Sequence, residues 1–245
     1  MIIKLIIEYD GTGYVGWQKQ KNGKSIQGEI ENSLNKIFDK NIKLFVAGRT
    51  DAGVHALGQV AHFEIDTKIE PKKIGLAINH YLGKENKIVI KKSSKENNKF
   101  HSRFSAIERI YEYKILNKRI HSPLLLNRMW FLPFNIDFNL IQSASQVFLG
   151  THDFNSFRSS DCQSKTSIRT INKIEIIKSG YQITLRFRAK SFLHNQVRIL
   201  VGSLVNVGRK VWDRDKIIKI LKSKNRALSG QTAPAHGLYL KRVRY

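Results

Sequence analysis

The chain has 245 residues, of which 43 are Lys or Arg and 19 are Asp or Glu, so its formal net charge is +24. Such an excess of cations favours a polyanionic partner such as a nucleic acid, because phosphate neutralisation and counterion release dominate that kind of binding. No stretch approaches the ~20 consecutive apolar residues of a membrane span, and the first residues lack a basic-then-apolar export signal. The single Cys162 excludes an internal disulfide framework, and no Cys/His group has structural-zinc spacing. We therefore expect a globular cytoplasmic protein without membrane contact or metal.

In the first half of the chain, hydrophobic periodicity predicts the order β-α-β-β-α-β. Ser25 suits the N-cap of the first helix, and Pro71 suits the first turn of the second. The predicted ranges are strand 2–9, helix 26–38, strand 42–48, strand 58–65, helix 71–82 and strand 87–92.

The second half repeats this plan. Asp137 is placed to cap one helix and Gly150 to close it, and an extra helix precedes the last strand. The predicted ranges are strand 109–117, helix 137–149, strand 168–178, strand 181–189, helix 191–208, helix 213–222 and strand 237–243.

Two consecutive split βαβ units predict an α+β fold with antiparallel sheets. Each sheet carries helices on one side and leaves the other face available for ligand, with a cleft between the domains. The lysine-rich run 91–99 is the best candidate boundary. Its lysines by themselves are weak evidence for a nucleic-acid partner, because such runs also occur as solvated loops. We expect an N-terminal domain over residues 1–105 and a C-terminal domain over residues 106–245. The polar segment 151–167 is of the kind that folds over a substrate.

Asp51 is the most informative candidate for catalysis. It directly follows the pair Arg49-Thr50 in a loop bounded by Gly48 and Gly53, between two runs that alternate as half-buried strands. Glycines there allow a large substrate to approach the main chain. An Asp between glycines often only bonds backbone amides in a turn, but an isolated carboxylate in so cationic a chain favours a catalytic role.

Gly11, Gly13 and Gly16 spell G-x-G-x-x-G after a strand, the dinucleotide-binding pattern. That pattern requires a helix to begin directly after the glycines so that its N-terminus holds the pyrophosphate. Here residues 17–24 intervene, so the sequence argues against a dinucleotide site. The glycines instead are expected to make room for a substrate phosphate.

The segment RIYEYKI alternates as a strand, which places Arg109, Tyr111 and Tyr113 on one face. Aromatic and cationic side chains together can stack an unpaired base and hold its phosphate. The alternative, that the tyrosines are ordinary sheet packing, is expected to hold for one of the two.

The helix predicted over 191–208 has an apolar stripe with Arg198 at its border. A half-buried guanidinium needs an anion, and the candidates are Asp51, a substrate phosphate or another acidic side chain. Further arginines fall within or beside predicted elements, where they can hold phosphate or carboxylate with two bonds. They are Arg49, Arg103, Arg109, Arg158, Arg169, Arg186, Arg188 and Arg209. The histidines show no metal or triad motif.

The chain resembles the tRNA pseudouridine synthase A family in segments that cover nearly its whole length in order. They are YDGTGYVGWQKQ, SIQGEIE, AGRTDAGVHA, FHSRFSA, RIYEYKI, FRSSDCQSKTSIRTI, FLHNQVRILVGSLVNVG and TAPAHGLYL. The resemblance implies two ferredoxin-like domains whose sheets join end to end into one extended sheet. It also implies a homodimer that isomerises uridine at positions 38, 39 and 40 of the tRNA anticodon arm, without a cofactor.

The resemblance also assigns roles to residues. Asp51 matches the catalytic aspartate, and Arg49 matches an arginine that displaces and positions the target base. Tyr111 matches the tyrosine that stacks on the flipped uracil, and Arg198 matches the arginine that pairs with the carboxylate. Leu238 matches an apolar residue of the uracil pocket. Arg103, Arg109 and His55 are expected to contact the substrate, and His236 stands where a smaller residue is expected.

Two alternatives remain open from the sequence. One is a non-catalytic RNA-binding protein that uses the aromatic and basic strand around Tyr111. The other is a nucleotide-dependent enzyme that uses the glycines at 11–16.

Overall fold

In the computed structural model, which describes residues 1–21 and 23–245, the chain divides into two units. The first comprises Met1–Ile107 with Tyr239–Tyr245, and the second comprises Glu108–Leu238. Contacts thus place the last strand in the first unit. The division into domains at residues 105 and 106 stays a prediction, as does the joining of the two sheets.

The elements follow the mixed α and β pattern that the sequence predicts. The first part of the chain contains β1 (Ile2–Tyr9), α1 (Ile26–Phe38), β2 (Phe45–Val46), β3 (His55–Glu64), α2 (Pro71–Leu82) and β4 (Ile88–Glu96). The remainder contains β5 (Glu108–Asn117), β6 (Trp130–Leu132), α3 (Phe138–Ser145), β7 (Gly150–Asp153), β8 (Ile168–Ser179), β9 (Gln182–Ala189), α4 (Gln196–Gly208), α5 (Arg214–Ser223) and β10 (Leu238–Arg244).

The sheet of the first unit has the strand order β4-β1-β3-β10, and β2 pairs with β3. β1 is antiparallel to both β3 and β4, as predicted for a split βαβ unit. β10 runs parallel to β3, with Tyr239 opposite His55 and Leu240 opposite Ala56. This parallel pair departs from the predicted all-antiparallel arrangement, because β10 enters the unit from a distant part of the chain.

The helices of the first unit begin where the sequence places their caps. The Ser25 hydroxyl accepts the N–H of Gly28 at 3.1 Å, and Pro71 opens α2. α2 packs on the buried face of the sheet, where a Cβ on Gly75 would meet Ile90 and Ser93. Ile90 is paired with Ile7, so both belong to the core on that face.

Lys4 and Ile6 of β1 lie on the opposite face of this sheet and are half-buried. A cavity of about 530 Å³ lies there, lined by Lys4, Ile6, Leu57, Gly58, Val60 and the last five residues of the chain. None of the side chains predicted to act in catalysis lines it.

The sheet of the second unit has the order β5-β9-β8-β7 with antiparallel neighbours, and β6 is parallel to β5. One face of β9 is buried, and its residues Leu185 and Phe187 stand opposite Tyr113 and Tyr111 of β5. α3 and α4 pack together: a Cβ on Gly208 would meet the side chains of Ile136 and Ile141.

Several predicted boundaries were wrong because tertiary contacts replaced the expected local structure. The strand predicted over 42–48 shortens to β2, since the N–H groups of Ile42 and Leu44 bond side chains of α1 instead. The helix predicted over 191–208 begins at Gln196, because Asn195 adopts a left-handed conformation. The helix predicted over 137–149 ends at Ser145 and continues as a short 3₁₀ turn.

The segment 151–167 is only partly the exposed insertion that its polarity suggests. Its first residues belong to β7, and Phe154 and Phe157 are fully buried beside Phe148. The N–H of Phe154 bonds the carbonyl of Ser167 at 3.0 Å, which ties the two ends together. The apolar residues in this segment thus contribute to the core of the second unit.

His62 of β3 contacts both β2 and the segment around Ser102. Its partner across the β2–β3 pair is Phe45. The N–H of Ser102 donates to Nδ1 of His62 at 3.2 Å, and the Ser102 hydroxyl donates to the carbonyl of Phe45 at 2.8 Å. Burial, and then the neighbouring His101, lower the pKa of His62 to about 4. The imidazole is therefore neutral at neutral pH.

We expect the protein to lose stability as the pH falls through the window between 6.5 and about 4 set by the pKa of His62. The unfolded chain, with the ordinary histidine pKa, takes up its proton first, so acid favours the unfolded state. The pKa shift corresponds to a loss of up to about 3 kcal/mol in the free energy of unfolding.

Urea denaturation at neutral pH and near pH 4.5 measures this effect. A His62→Asn protein should lose less stability on acidification than the wild type, whereas a variant at the exposed His121, His121→Asn, should lose as much. Equal losses in the wild type and in His62→Asn would contradict the prediction.

Candidate active site

The loop that carries Asp51 connects β2 to β3 in the first unit. Asp51 is half-buried and Arg49 is exposed. Between them, Thr50 is buried and doubly anchored: its carbonyl accepts the N–H of Trp17 at 2.9 Å, and its hydroxyl lies 2.7 Å from that of Tyr9. The residue next to the half-buried Asp51 is therefore fixed to the core.

Both ends of this loop are also held. Nε2 of Gln59 donates to the carbonyl of Gly48 at 2.8 Å, and the N–H of Val54 bonds the carbonyl of Asp51 at 3.1 Å. Gly53 has a φ of +76°, a conformation that non-glycine residues rarely adopt. The backbone at position 53 therefore favours glycine.

The G-x-G-x-x-G glycines pack directly against this loop. A Cβ on Gly11 would lie 2.1 Å from the carbonyl oxygen of Val54, and one on Gly16 would lie 2.7 Å from that of Thr50. The prediction that these glycines make room for a substrate phosphate is wrong at Gly11 and Gly16, because loop main chain fills the space. Their absent side chains let the Asp51 loop sit close to the segment after β1.

His55, predicted to contact substrate, is only 1% exposed. Its Nδ1 accepts the N–H of Gly11 at 3.1 Å and lies 3.0 Å from a carboxylate oxygen of Asp10. Its ring stacks on Tyr239 at 4.7 Å between centroids. These contacts all support the base of the Asp51 loop, and a substrate contact for His55 stays a prediction.

The two tyrosines of β5 have different surroundings in the second unit. The Tyr113 hydroxyl donates to the carbonyl of Pro234 at 2.8 Å, and burial raises the pKa of this fully buried phenol. Tyr111 packs edge-on against Phe192 with centroids 5.3 Å apart. Tyr113 is thus the structural tyrosine that the sequence led us to expect for one of the pair, and Tyr111 remains the candidate for base stacking.

Arg198 is half-buried on α4, as its place at the border of the apolar stripe predicts. Its Nε donates to the carbonyl of Ala233 at 2.7 Å, and its Nη1 donates to Oδ1 of Asn195 at 2.7 Å. These two bonds orient the guanidinium. Sequence reasoning missed both partners, because neither is charged.

The other predicted residues of the second unit lie at varied depths. Arg109 is buried, and its Nη1 donates to the carbonyl of Lys190 at 2.5 Å. Leu238 is buried at the start of β10, and burial lowers the pKa of the nearby His236. The remaining predicted contact, Arg103, is exposed in the first unit. The assembly of Asp51 with residues of the second unit stays a prediction.

Some arginines predicted to hold phosphate or carboxylate bind carboxylates of the protein itself. Nε and Nη2 of Arg186 donate to Glu112 at 3.0 and 2.7 Å, and Nη2 of Arg188 donates to Glu175 at 2.7 Å. The hydrogen bond to Glu112 raises the pKa of Arg186 further. These side chains stabilise the second sheet.

Among residues 1–21 and 23–245, no helix combines the length and the apolar character that crossing a membrane requires. Within the same residues, no three His, Cys, Asp or Glu side chains are grouped as metal ligands.

Comparison with known proteins agrees with the resemblance in sequence. Residues 5–105 and 144–245 match the family model described as tRNA pseudouridine synthase. A protein of Anaplasma phagocytophilum named tRNA pseudouridine synthase A is 44% identical over 247 residues, and one of that name from Ehrlichia chaffeensis is 47% identical over 250 residues. Both alignments cover 100% of this chain and of the relative.

Among solved structures, the crystal structure of a Cbf5-Nop10-Gar1 complex matches 82% of this chain and 54% of that one. The TM-score of this match is 0.35 and the sequence identity is 12%. The family model spans most of both units, and the Asp51 loop lies inside its first matched range. The chain belongs to the tRNA pseudouridine synthase family.

Proposed function

We propose that this protein converts uridine to pseudouridine at positions 38, 39 and 40 of tRNA, in the anticodon stem-loop, with Asp51 as the catalytic group. The observation that carries the proposal is the presentation of one half-buried carboxylate on a loop whose neighbouring residue is locked into the core. A catalytic group held on rigid supports loses little of its effect to misplacement. Membership in the family supplies the reaction class.

The reaction breaks the bond between nitrogen 1 of uracil and carbon 1′ of the ribose, and forms a bond from carbon 5 to the same ribose carbon. Carbon 5 loses its proton to solvent and nitrogen 1 gains one, so the reaction needs no redox partner and no cofactor. The Asp51 carboxylate acts as a nucleophile that captures the sugar, or assists elimination to a glycal, while the freed uracil turns.

Other side chains hold and position the base in this proposal. Tyr111 stacks on the uracil, Leu238 lines its pocket, and Arg49 helps to displace it from the helix. Arg198, oriented by Ala233 and Asn195, pairs with the Asp51 carboxylate. A stem uridine must be extruded at a cost of a few kcal/mol, which phosphate contacts elsewhere offset. A net charge of +24 suits such contacts.

We further propose that the protein acts in the cytoplasm as a homodimer on tRNA. The basic composition supports the RNA partner. Size-exclusion chromatography with light scattering reads out the dimer directly, and a monomeric mass at micromolar concentration would contradict it.

Release of tritium from carbon 5 of uridine tests the function, because one tritium leaves for each pseudouridine formed. We expect release from tRNAs that carry uridine at only one of positions 38, 39 and 40. The matched control is the same tRNA with cytidine at all three positions, which retains its other uridines and should release none. Tight binding of tRNA without release from any substrate would instead favour a non-catalytic RNA-binding protein.

A further inference from the structure

Four side-chain rings of the first unit contact one another in a row. None of them belongs to a residue predicted to act in catalysis. His62 is the buried member: Phe45 stacks on it at 5.2 Å between centroids, and His101 meets it edge-on at 4.7 Å. His101 in turn packs against Phe104 at 4.4 Å. We call Phe45, His62, His101 and Phe104 the ring row.

The outer members of the ring row are exposed to an unusual degree for phenylalanine. Phe104 is 75% exposed and Phe45 is 43% exposed. A single exposed apolar side chain needs no explanation, but a contiguous exposed apolar group marks an interaction surface. The two rings flank His101, which lies 5.8 Å from Phe45.

The segment that presents Phe104 is held by its own hydrogen bonds. Nδ1 of His101 accepts the N–H of Arg103 at 3.1 Å, and the N–H of His101 donates to the Ser105 hydroxyl at 3.0 Å. Ser102 is fully buried and bonded to His62 and Phe45. The backbone that carries Phe104 therefore loses little conformational freedom when a ligand binds.

Cations accompany both exposed rings. The guanidinium carbon of Arg103 lies 5.6 Å from the centroid of Phe104, and Nζ of Lys43 lies 5.8 Å from that of Phe45. Flat apolar rings beside positive charge match an unpaired nucleotide, which offers a base to stack and a phosphate to bind. An RNA complements these two cations, and the net charge of +24 on the chain favours such a polyanion as the occupant.

We propose that the ring row is a binding site for an unpaired nucleotide of the substrate RNA, whose base stacks on Phe104 and Phe45 while Arg103 and Lys43 bind its phosphate. The site rests on the proposed function for the identity of the RNA, and it would bind a nucleotide other than the uridine that reacts. An anticodon stem-loop supplies the unpaired nucleotides.

Binding of an anticodon stem-loop RNA to the full-length protein, measured by fluorescence anisotropy, tests the site. Phe104→Ala should weaken binding by about 5- to 100-fold, the range for loss of one stacked base, and Phe104→Trp should restore it. The matched control is Tyr81→Ala, which removes another exposed aromatic side chain of the same unit and should change affinity by less than about twofold. Arg103→Gln should reduce the slope of the logarithm of the binding constant against the logarithm of the salt concentration by about one, as expected for the loss of one phosphate contact. Phe104→Ala should leave this slope unchanged.

A 2-aminopurine placed at each loop position of the RNA in turn reports the stacked base. We expect quenching at one position with the wild type and with Phe104→Trp, and no quenching there with Phe104→Ala. Unchanged affinity and unchanged quenching in Phe104→Ala would overturn the site. A change of oligomeric state in Phe104→Ala with unchanged RNA affinity would assign the surface to a second copy, and would overturn it as well.

Tritium release by the wild type, measured in the same preparation, tests the proposed function separately. Wild-type release together with normal binding by Phe104→Ala rejects only the ring row. Absence of wild-type release together with weakened binding by Phe104→Ala rejects only the catalytic function.

Discussion

The Asp51→Asn protein should bind tRNA within about twofold of the wild type and should form pseudouridine at least about 1000-fold more slowly. The amide has nearly the shape of the carboxylate but carries no charge, so it neither attacks the sugar nor assists its departure. The loop itself should persist, because hydrogen bonds of Thr50, Gly48 and Gln59 anchor it.

Tritium release and nucleoside analysis of the product measure the loss, and filter binding measures the affinity. The matched control is Asp66→Asn, which makes the same change of charge at an exposed residue of the same unit and should retain full activity. Mass spectrometry excludes deamidation back to Asp, and Asp51→Ala provides a variant that cannot revert in this way. Turnover near the wild-type rate in Asp51→Ala would exclude the nucleophile assignment.

Gly202→Ala should lower the free energy of unfolding by at least about 2 kcal/mol, although alanine is the better helix former by about 1 kcal/mol. A Cβ on Gly202 would lie 1.9 Å from the carbonyl oxygen of Gln231. This oxygen belongs to the main chain, which cannot rotate away as a side chain can. The contact is mutual, because a Cβ on Gly230 would lie 2.6 Å from the nitrogen of Ser203. Steric exclusion therefore outweighs helix propensity at this position.

Gly208→Ala in the same helix is the matched control. Its Cβ would lie 2.5–2.8 Å from atoms of the Ile136 and Ile141 side chains, so the overlap involves side chains rather than main chain. We expect a smaller loss for Gly208→Ala than for Gly202→Ala, measured by urea denaturation of both variants. Equal losses would contradict the distinction between main-chain and side-chain neighbours.

Gly202→Ala should also reduce catalysis under conditions where the protein stays folded. The segment pressed against Gly202 leads to Ala233, whose carbonyl accepts Nε of Arg198. Displacing that carbonyl leaves the guanidinium without one of the bonds that orient it.

Helices in this protein were predictable where their ends carry local signals. Helices α1 and α2 have the predicted bounds because Ser25 caps one and Pro71 opens the other. The ends of β2 and β3 were not predictable, because they depend on residues that are distant in the sequence. The side chains of Asn35 and Glu31 bond the backbone before β2, and Tyr239 pairs with the first residue of β3.

The candidate site shows the same division. The Asp51 loop was recognisable from its glycines and flanking strands, which are contiguous in the sequence. The packing of Gly11 and Gly16 against that loop was not, because no local pattern reveals which backbone approaches a glycine. The sequence carried an indirect signal: glycines in a dinucleotide-binding pattern that no helix follows directly must have a role other than binding a dinucleotide.

The parallel pairing of β10 with β3 has a consequence for how the protein reaches its native state. The edge of β3 at His55 and Ala56 gains its neighbour only when Tyr239 and Leu240 have been synthesised. During translation the first unit therefore has an unpaired strand edge, at which another chain can pair. Because contacts between remote residues form slowly, we infer that completion of this sheet is a late event in biogenesis.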